Sequence, residues 1–396
     1  MKIFNIKSII KPIFFINAFI IVIYPFNFNS HPFYLDNKKP IVSYNESKKE
    51  ILIKGRNYLD KCLNFSSKFE YMYNKYIRNP KISVIIPMYN CEQTIKFALR
   101  SVQFQNLSKI EIILINDFSS DNTNKIVKKF MKRDRRIKII NNHKNMGTLY
   151  SRSIAALAAK GKYIFGLDND DLYFDEDLLY FIYKKGRKEK LDIIEFLTID
   201  TWDYNIEMTK MKDIYTYQYP DNLYIEQPEL STWIIKFNNN FLVHNNMIWD
   251  KCIKTSIYQK SVNLLGKKRY SKFVSWSEDT IINFIIFNIG NNFKYIHKYG
   301  IFHIRSNSTA SLRLSTESKI FGEIFFLDII FDFSKNDTDI KNFIFEQAIY
   351  IKNKYNIDKY NNDANFLYLK LVLNKFIDCK YLNKINMRKI KKLFFL

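Results

Sequence analysis

From position 81 onward, short runs of consecutive apolar residues alternate with longer stretches in which apolar residues recur every three or four positions. Residues 82–86 (Ile-Ser-Val-Ile-Ile) read as a β-branched strand ended by Pro87, since proline removes a ladder donor and restricts the residue before it. Residues 92–104 carry helical spacing through Ile95, Ala98, Leu99 and Val102. The same reading predicts a strand over 110–115, a helix over about 123–131 and a strand over 137–140. A turn at 145–148, an Ala-rich helix over 151–160 and a strand entered at 161–167 follow. Alternation of this kind predicts an α/β fold, with a mainly parallel sheet and crossover helices packed on its faces. The polar segments 116–123 and 168–171 both follow strands, at the carboxyl edge where open α/β sheets bind ligands. No GxGxxG follows the first strand, so a dinucleotide-binding fold is not predicted.

Outside this region the pattern changes. Aromatic-rich strands or loops are predicted over roughly 200–275, and an apolar helix from about 279 to 289. After position 320 the chain reads as a basic helical extension, with Ile344, Ala348, Ile351, Leu367, Leu371 and Phe376 as core positions. At the other end, Lys2, Lys7 and Lys11 precede an apolar run over 13–24. This is the pattern of a signal anchor or a signal peptide. A span of ~20 residues is reached over 9–28 by including Lys11, Pro12, Asn17, Pro25 and Asn27. A hydrophobic terminal element packed on the globular part fits the run as well. The expected organisation is a signal anchor or signal peptide over 1–28, a stem over 29–80, a catalytic domain over 81–311 and a helical extension over 312–396. Lysines ahead of the span favour a cytosolic amino terminus. The catalytic domain then lies on the luminal side, in the endoplasmic reticulum or Golgi if the cell is eukaryotic; secretion and the cytoplasmic membrane face are the alternatives.

Composition narrows the class. At 396 residues, 47% hydrophobic, with 35 Phe and 27 Tyr, the chain can bury a large core. With 9 Gly and 8 Pro it is neither collagen-like nor a Pro/Gly-rich disordered chain. A formal net charge of +23 attracts phosphates at long range. The basic residues are nevertheless dispersed, and no DNA- or RNA-binding motif accompanies them. An anionic membrane surface or an acidic acceptor accommodates the same charge. Cys62, Cys91, Cys252 and Cys379 form no CxxC pair, which argues against a zinc site or a dense disulfide framework and leaves one or two disulfides open.

The strongest local chemistry is Asp168-Asn-Asp170-Asp171. Carboxylates this close repel one another unless solvent, hydrogen bonds or a cation compensates. Hard oxygen ligands suit Mg²⁺ or Mn²⁺, especially where diphosphate oxygens complete the coordination; an acidic turn at the surface has the same composition. Asp117, after the second strand, can accept a hydrogen bond from a base N–H or form a local turn. Arg152 can orient a carboxylate or phosphate, or stand as a solvated helix cation.

Taken in order, the blocks KISVIIPMYNCEQTIKFALRSVQFQ, IEIILINDFSSDNT and HKNMGTLYSRSIAALAAKGKYIFGLDNDD resemble a family 2 glycosyltransferase of the GT-A fold. They span about residues 81–171. The resemblance implies a mixed, mainly parallel sheet flanked by helices. It also implies a nucleotide-sugar donor bound around Pro87, Tyr89 and Asn90, with Asp117 contacting the base and Arg152 supporting the donor pocket. Asp168 and Asp170 match the DxD carboxylates that hold the ribose or the metal-diphosphate group, and Asp171 assists from the neighbouring position. Asn116 and Phe118 depart from the pattern, standing where many relatives have Asp and Gly.

Residues 274–281 (Val-Ser-Trp-Ser-Glu-Asp-Thr-Ile) resemble the later acidic motif of the family. Inverting transfer needs a carboxylate that removes the acceptor hydroxyl proton. Asp279 is the first candidate and Glu278 the second; both also suit a helix start, with Ser277 as cap. Trp276 can stack on a sugar face or pack in the core, and Trp249 and Lys251 lie in a region resembling the acceptor side. His303 and Arg305 can approach the diphosphate from a flexible carboxyl-side loop, or stand as a structural histidine and a solvated arginine; His303 is not assigned to a metal. The expected function is metal-dependent inverting transfer of a hexosyl or N-acetylhexosaminyl group to a glycan, lipid or protein-linked acceptor. A nucleotidyltransferase and a non-catalytic carbohydrate-binding or scaffold protein are the alternatives.

Overall fold

A computed structural model describes residues 46–64, 73, 75, 77–202, 234–237, 240–243, 247–305, 314–334 and 338–356. The apolar run at 13–24, Cys379 and the core positions Leu367, Leu371 and Phe376 lie outside the described residues. The strands are β1 (Ile82–Met88), β2 (Ile110–Asn116), β3 (Ile137–Asn141), β4 (Tyr163–Gly166), β5 (Leu172–Tyr173), β6 (Ile193–Trp202), β7 (Ile234–Phe237), β8 (Asn240–Val243), β9 (Lys251–Lys254) and β10 (Phe293–Arg305). Eight of them form one sheet in the order β3-β2-β1-β4-β9-β6-β10-β5, while β7 and β8 pair separately. The first four in that order run parallel. β9 is antiparallel to both β4 and β6, and β6 and β10 are parallel to each other, so β6 and β10 again run in the direction of β1. The carboxyl ends of β1, β2, β4, β6 and β10 therefore share one edge. This is the mixed, mainly parallel α/β sheet that the sequence predicts.

Ten helices are described: α1 (Glu46–Leu63), α2 (Ile95–Gln103), α3 (Thr123–Arg133), α4 (Thr148–Ala158), α5 (Leu178–Lys188), α6 (Thr255–Leu265), α7 (Lys267–Tyr270), α8 (Glu278–Ile289), α9 (Thr316–Ser334) and α10 (Thr338–Lys354). β1 and β2 are buried along their whole length. Their alternate side chains feed two cores, as the period of a strand requires. Ile85, Ile113 and Ile164 pack with Leu149, Tyr258, Ile281, Ile324 and Ile344, which come from α4, α6, α8, α9 and α10. Val84, Ile86, Ile112, Leu114 and Phe165 pack on the other face with Leu59, Leu99 and Leu178, from α1, α2 and α5.

Several boundaries differ from the pattern. Pro87 does not end β1, which continues to Met88. In a parallel strand alternate residues face the same neighbour: Ile85 O accepts from Leu167 N on the β4 side, and Met88 O accepts from Asp117 N on the β2 side. Pro87 faces the β4 side after the pairing with β4 has ended at Ile85–Gly166, so its missing N–H leaves no ladder bond unmade. Within the stretch read as strands or loops, 255–265 is a helix whose Tyr258, Val262 and Leu265 are buried. α5 and β6 are additional to the predicted elements. α1 falls in the stretch read as stem, yet Tyr58, Leu59 and Cys62 are buried in the core and Tyr58 OH donates to Ser101 O at 2.6 Å. The helices after 312 are likewise packed into the first core, where Ile344, Ala348 and Ile351 are buried as expected. Cys62, Cys91 and Cys252 are buried free thiols. Among the described residues, no helix is long and apolar enough to cross a membrane.

Candidate active site

The loops that follow β1 and β2 are tied to each other. Asn90 N donates to Ser119 Oγ at 3.1 Å, and Asn90 Oδ1 accepts from Ser120 N at 2.8 Å. Glu92 Oε2 accepts from Asn122 N at 2.8 Å, and Asn116 Oδ1 accepts from Ser119 N at 3.0 Å. Asn90 and Phe118 both have positive φ, 49° and 65°. That region is tolerated by Asn but strained for Phe, and such strain gathers where function requires a fixed backbone. Tyr89 and Phe118 stand exposed on these loops, at 44% and 57%. Asn116 and Phe118, which depart from the family pattern, are thus built into the loop: one as its hydrogen-bond acceptor, the other as its exposed apex.

Asp117 is buried behind them. Its Oδ1 accepts from Asn142 Nδ2 and Met146 N, both at 2.8 Å, and its Oδ2 accepts from Gly147 N at 2.8 Å. Burial raises its pKa, with these bonds opposing the rise. The turn at 145–147 is built on this one carboxylate. Gly147, at φ 86°, lets the segment after 273 come close, since a Cβ there would sit 2.9 Å from Val274 N. Thr148 N donates to Ser275 Oγ and Leu149 N to Val274 O, each at 3.0 Å. The loop that carries Glu278 and Asp279 therefore rests on the amino-terminal end of α4.

Arg152, one turn into α4, is 2% exposed. Its Nη2 donates to Asp168 Oδ1 at 2.6 Å, and its Nε lies 3.2 Å from Asp279 Oδ1. Burial alone would lower its pKa; the charges of Asp279 and Asp168 overcome that and hold the guanidinium ionised. It is a buried bridge between two acidic groups, not a solvated cation. Candidate ligand atoms of Asp168, Asp170 and Asp171 lie within 4.8 Å of one another. Burial, followed by the charges of Asp171 and Asp168, pushes Asp170 up to about 8. Asp171 is raised by burial and opposed by His303; it accepts from Ile304 N at 2.9 Å, with His303 Nδ1 3.1 Å away. Hard oxygen donors whose negative charge is incompletely offset fit a divalent cation such as Mg²⁺ or Mn²⁺. Asn169, between the carboxylates, donates through Nδ2 to Pro87 O at 3.0 Å and so locks the acidic turn to the loop after β1.

Glu278 and Asp279 open α8. Burial and the charge of Asp279 push Glu278 up to about 8. Burial raises Asp279 to about 6, with Arg152 opposing the rise. Ser277 is not a side-chain cap: it has left-handed φ, and its hydroxyl makes no cap hydrogen bond. His303 and Arg305 lie on β10 rather than on a flexible loop, paired with Asp200 and Trp202 of β6. Burial of apolar neighbours extends β10 that far. Trp249 is buried and stacks on His303, with ring centroids 4.7 Å apart. Lys251 is also interior, 2.7 Å from Asp250 Oδ1 and 3.5 Å from Glu195 Oε2. Neither Trp249 nor Lys251 presents an acceptor surface.

The structure thus gathers Arg152, Asp168, Asp170 and Asp279 around one place, with the loop of Pro87, Tyr89 and Asn90 fastened to it through Asn169. Sequence reasoning missed two partnerships, Asn169 with Pro87 and His303 with Asp171. The first has a signal in the polar residue between the two DxD carboxylates. The second joins residues 132 apart and has none.

Comparison with known proteins bears on the family and the fold. Residues 83–229 match glycosyl transferase family 2. The chain is 37% identical over 115 residues to the uncharacterized glycosyltransferase EpsJ of Bacillus subtilis (strain 168), covering 29% of this chain and 33% of EpsJ. It is 34% identical over 132 residues to the chondroitin synthase of Pasteurella multocida (strain Pm70), covering 31% of this chain and 13% of the synthase. The chain therefore spans about a third or less of these relatives' length. The S. aureus TarS fragment 1–349, solved with UDP-GlcNAc, has a TM-score of 0.51 at 17% identity, covering 75% of this chain and 81% of that one. That likeness is one of fold. With the sheet order, the acidic turn after β4 and the matched stretch together, residues 83–229 carry a glycosyl transferase family 2 domain, and the fold is of the GT-A type.

Proposed function

We propose that the protein is a metal-dependent inverting glycosyltransferase, moving a sugar from a nucleotide-sugar donor to a glycan, lipid or protein-linked acceptor. The observation that carries this reading is the buried Arg152 bridge between Asp168 of the acidic turn and Asp279 at the start of α8. It holds a donor-binding carboxylate and a candidate base in fixed relation. Asp168 and Asp170 would hold Mg²⁺ or Mn²⁺, which screens the donor diphosphate and stabilises its departure as nucleoside diphosphate. A nucleotide-sugar donor accords with the family match and with a fold that in TarS accommodates UDP-GlcNAc.

The chain's own groups divide the remaining work. Tyr89 and the loop after β1 face the nucleoside, and Asp117 holds the turn that supports the base pocket. Asp279, at about 6, is largely ionised at neutral pH and accepts the proton of the acceptor hydroxyl as its oxygen attacks the anomeric carbon. Glu278 is raised by burial and by the neighbouring Asp279 charge, whereas Asp279 has the Arg152 guanidinium beside it, which makes Glu278 the poorer base. Arg152 keeps the Asp279 carboxylate oriented and prevents it from swinging toward the metal ligands. Membrane anchoring through residues 1–28, with a luminal catalytic domain, belongs to the same proposal; its support is the basic and then apolar pattern of that segment. Incubation with a panel of nucleotide sugars and Mn²⁺ tests the reaction. Release of nucleoside diphosphate together with a glycosylated acceptor is expected, whereas pyrophosphate would make the protein a nucleotidyltransferase.

A further inference from the structure

Glu323 lies on α9, well outside the stretch matching the family, and its side chain is fully buried. One oxygen, Oε1, accepts three hydrogen bonds: from Trp276 Nε1 at 3.1 Å, Lys354 Nζ at 2.9 Å and Tyr355 OH at 2.8 Å. Trp276 is two residues before Glu278 and three before Asp279. Its ring is covered by Lys319, 5.1 Å from the centroid. A Cβ on Gly322 would sit 2.2 Å from Trp276 O, so the backbone of α9 presses directly on this residue.

Between Trp276 and Glu278 stands Ser277 at φ 60°. A non-glycine residue held there is strained and persists where its surroundings over-determine it. Both sides of Ser277 are indeed pinned: Ser275 to Thr148 at the start of α4, and Trp276 to Glu323. Apolar packing alone would hold α9 against α8 without a buried carboxylate, which is costly to desolvate. The carboxylate therefore calls for a role beyond cohesion.

We propose that Glu323 is a positioning residue for glycosyl transfer: acting through Trp276, it fixes the Ser277 pivot and with it the placement of Asp279. This rests on the glycosyltransferase reading above. The two helices after β10 then act on catalysis through Trp276.

The test compares wild type with Glu323→Leu, Glu323→Gln, Trp276→Phe and the Glu323→Leu/Trp276→Phe double variant in full-length protein. Misplacing a reacting group by ~1 Å costs up to ~100-fold in rate. Glu323→Leu and Trp276→Phe should each lower kcat about tenfold or more, with donor KM within about twofold. The double variant should be no slower than the worse single one, because both remove the same link. Glu323→Gln, which keeps an acceptor for the indole N–H, should recover most of kcat. Hydrogen exchange should quicken in a peptide spanning 272–280 and remain unchanged in one spanning 82–116. Wild-type kcat in both single variants, or losses that multiply in the double variant, would overturn the proposal. Should Glu323→Leu fail to fold, Trp276→Phe, which leaves the carboxylate with Lys354 and Tyr355, decides by the same kcat criterion. Absence of transfer by wild type refutes the function instead, and the exchange of 272–280 still decides whether Glu323 governs the loop.

Discussion

Asp170 and Asp279 carry the same carboxyl group into different surroundings, and the difference sets what each can do. Asp170 is raised by burial and by the charges of Asp171 and Asp168, so a cation binds there in competition with a proton. Mn²⁺ binding at pH 7 should therefore release protons, seen as a buffer-dependent heat in titration calorimetry, and affinity should rise with pH. Asp170→Asn should remove that proton release and weaken Mn²⁺ by at least about tenfold, the loss seen even for outer-shell partners of metal ligands. Asp279 has Arg152 to oppose the rise and stays near 6. As a base it works ionised, so kcat should fall about tenfold per pH unit below about 6; a flat profile from pH 5 to 8 would exclude it as the base. The sign for stability is opposite. Because its folded value exceeds the ordinary 3.8, the folded state binds more protons than the unfolded one, and Asp279 lowers stability as pH rises through about 6. These carboxylates were visible in the sequence because they cluster after strands or at a helix start. The reach of Arg152 to Asp279 was not, because it depends on how α4 meets α8.

At the scale of elements, the hydrophobic pattern located β1 to β4 and the helices between them, since each has its own period. It misjudged Pro87 because the cost of a missing N–H depends on whether a neighbouring strand is there to accept it. It missed α6, although Tyr258, Val262 and Leu265 carry helical spacing. Glycine at 161 is likewise explained by pairing rather than by local pattern. A Cβ there would meet Ser83 N at 2.5 Å, and Gly161 N donates to Ser83 Oγ at 2.8 Å beside the buried Glu111. Gly161→Ala should force β1 and the start of β4 apart and cost about 1–3 kcal/mol, as overpacking does. Chemical denaturation measures it, and an unchanged midpoint would contradict the close approach. The distance from Gly161 to the acidic turn, across the length of β4, predicts that Mn²⁺ affinity in the folded variant stays as in wild type.

For the whole molecule, the parallel alignment of β1, β2, β4 and β10 puts the loops after β1, β2 and β4 and the His303 end of β10 on one edge. The fold class was legible because strand–helix alternation has few solutions. Integration of α1, α9 and α10 into the cores was not legible, because an amphipathic or apolar helix does not name the surface it covers. The net charge of +23 and the basic, then apolar, start of the chain accord with a membrane-facing enzyme. Full-length protein expressed with residues 1–28 should remain in the pellet after carbonate extraction, whereas release into the supernatant would contradict a stable anchor. The central claim is that donor holding and proton removal are assigned to different carboxylates joined by Arg152. Its most direct test is Asp279→Asn, which keeps size and removes the ionisable group, measured for donor binding in the presence of Mn²⁺ and for turnover on the same preparation. Donor affinity should stay close to wild type, with transfer slowed by roughly two to four orders of magnitude, the contribution of a placed acid or base; turnover near wild type would exclude Asp279 as the base.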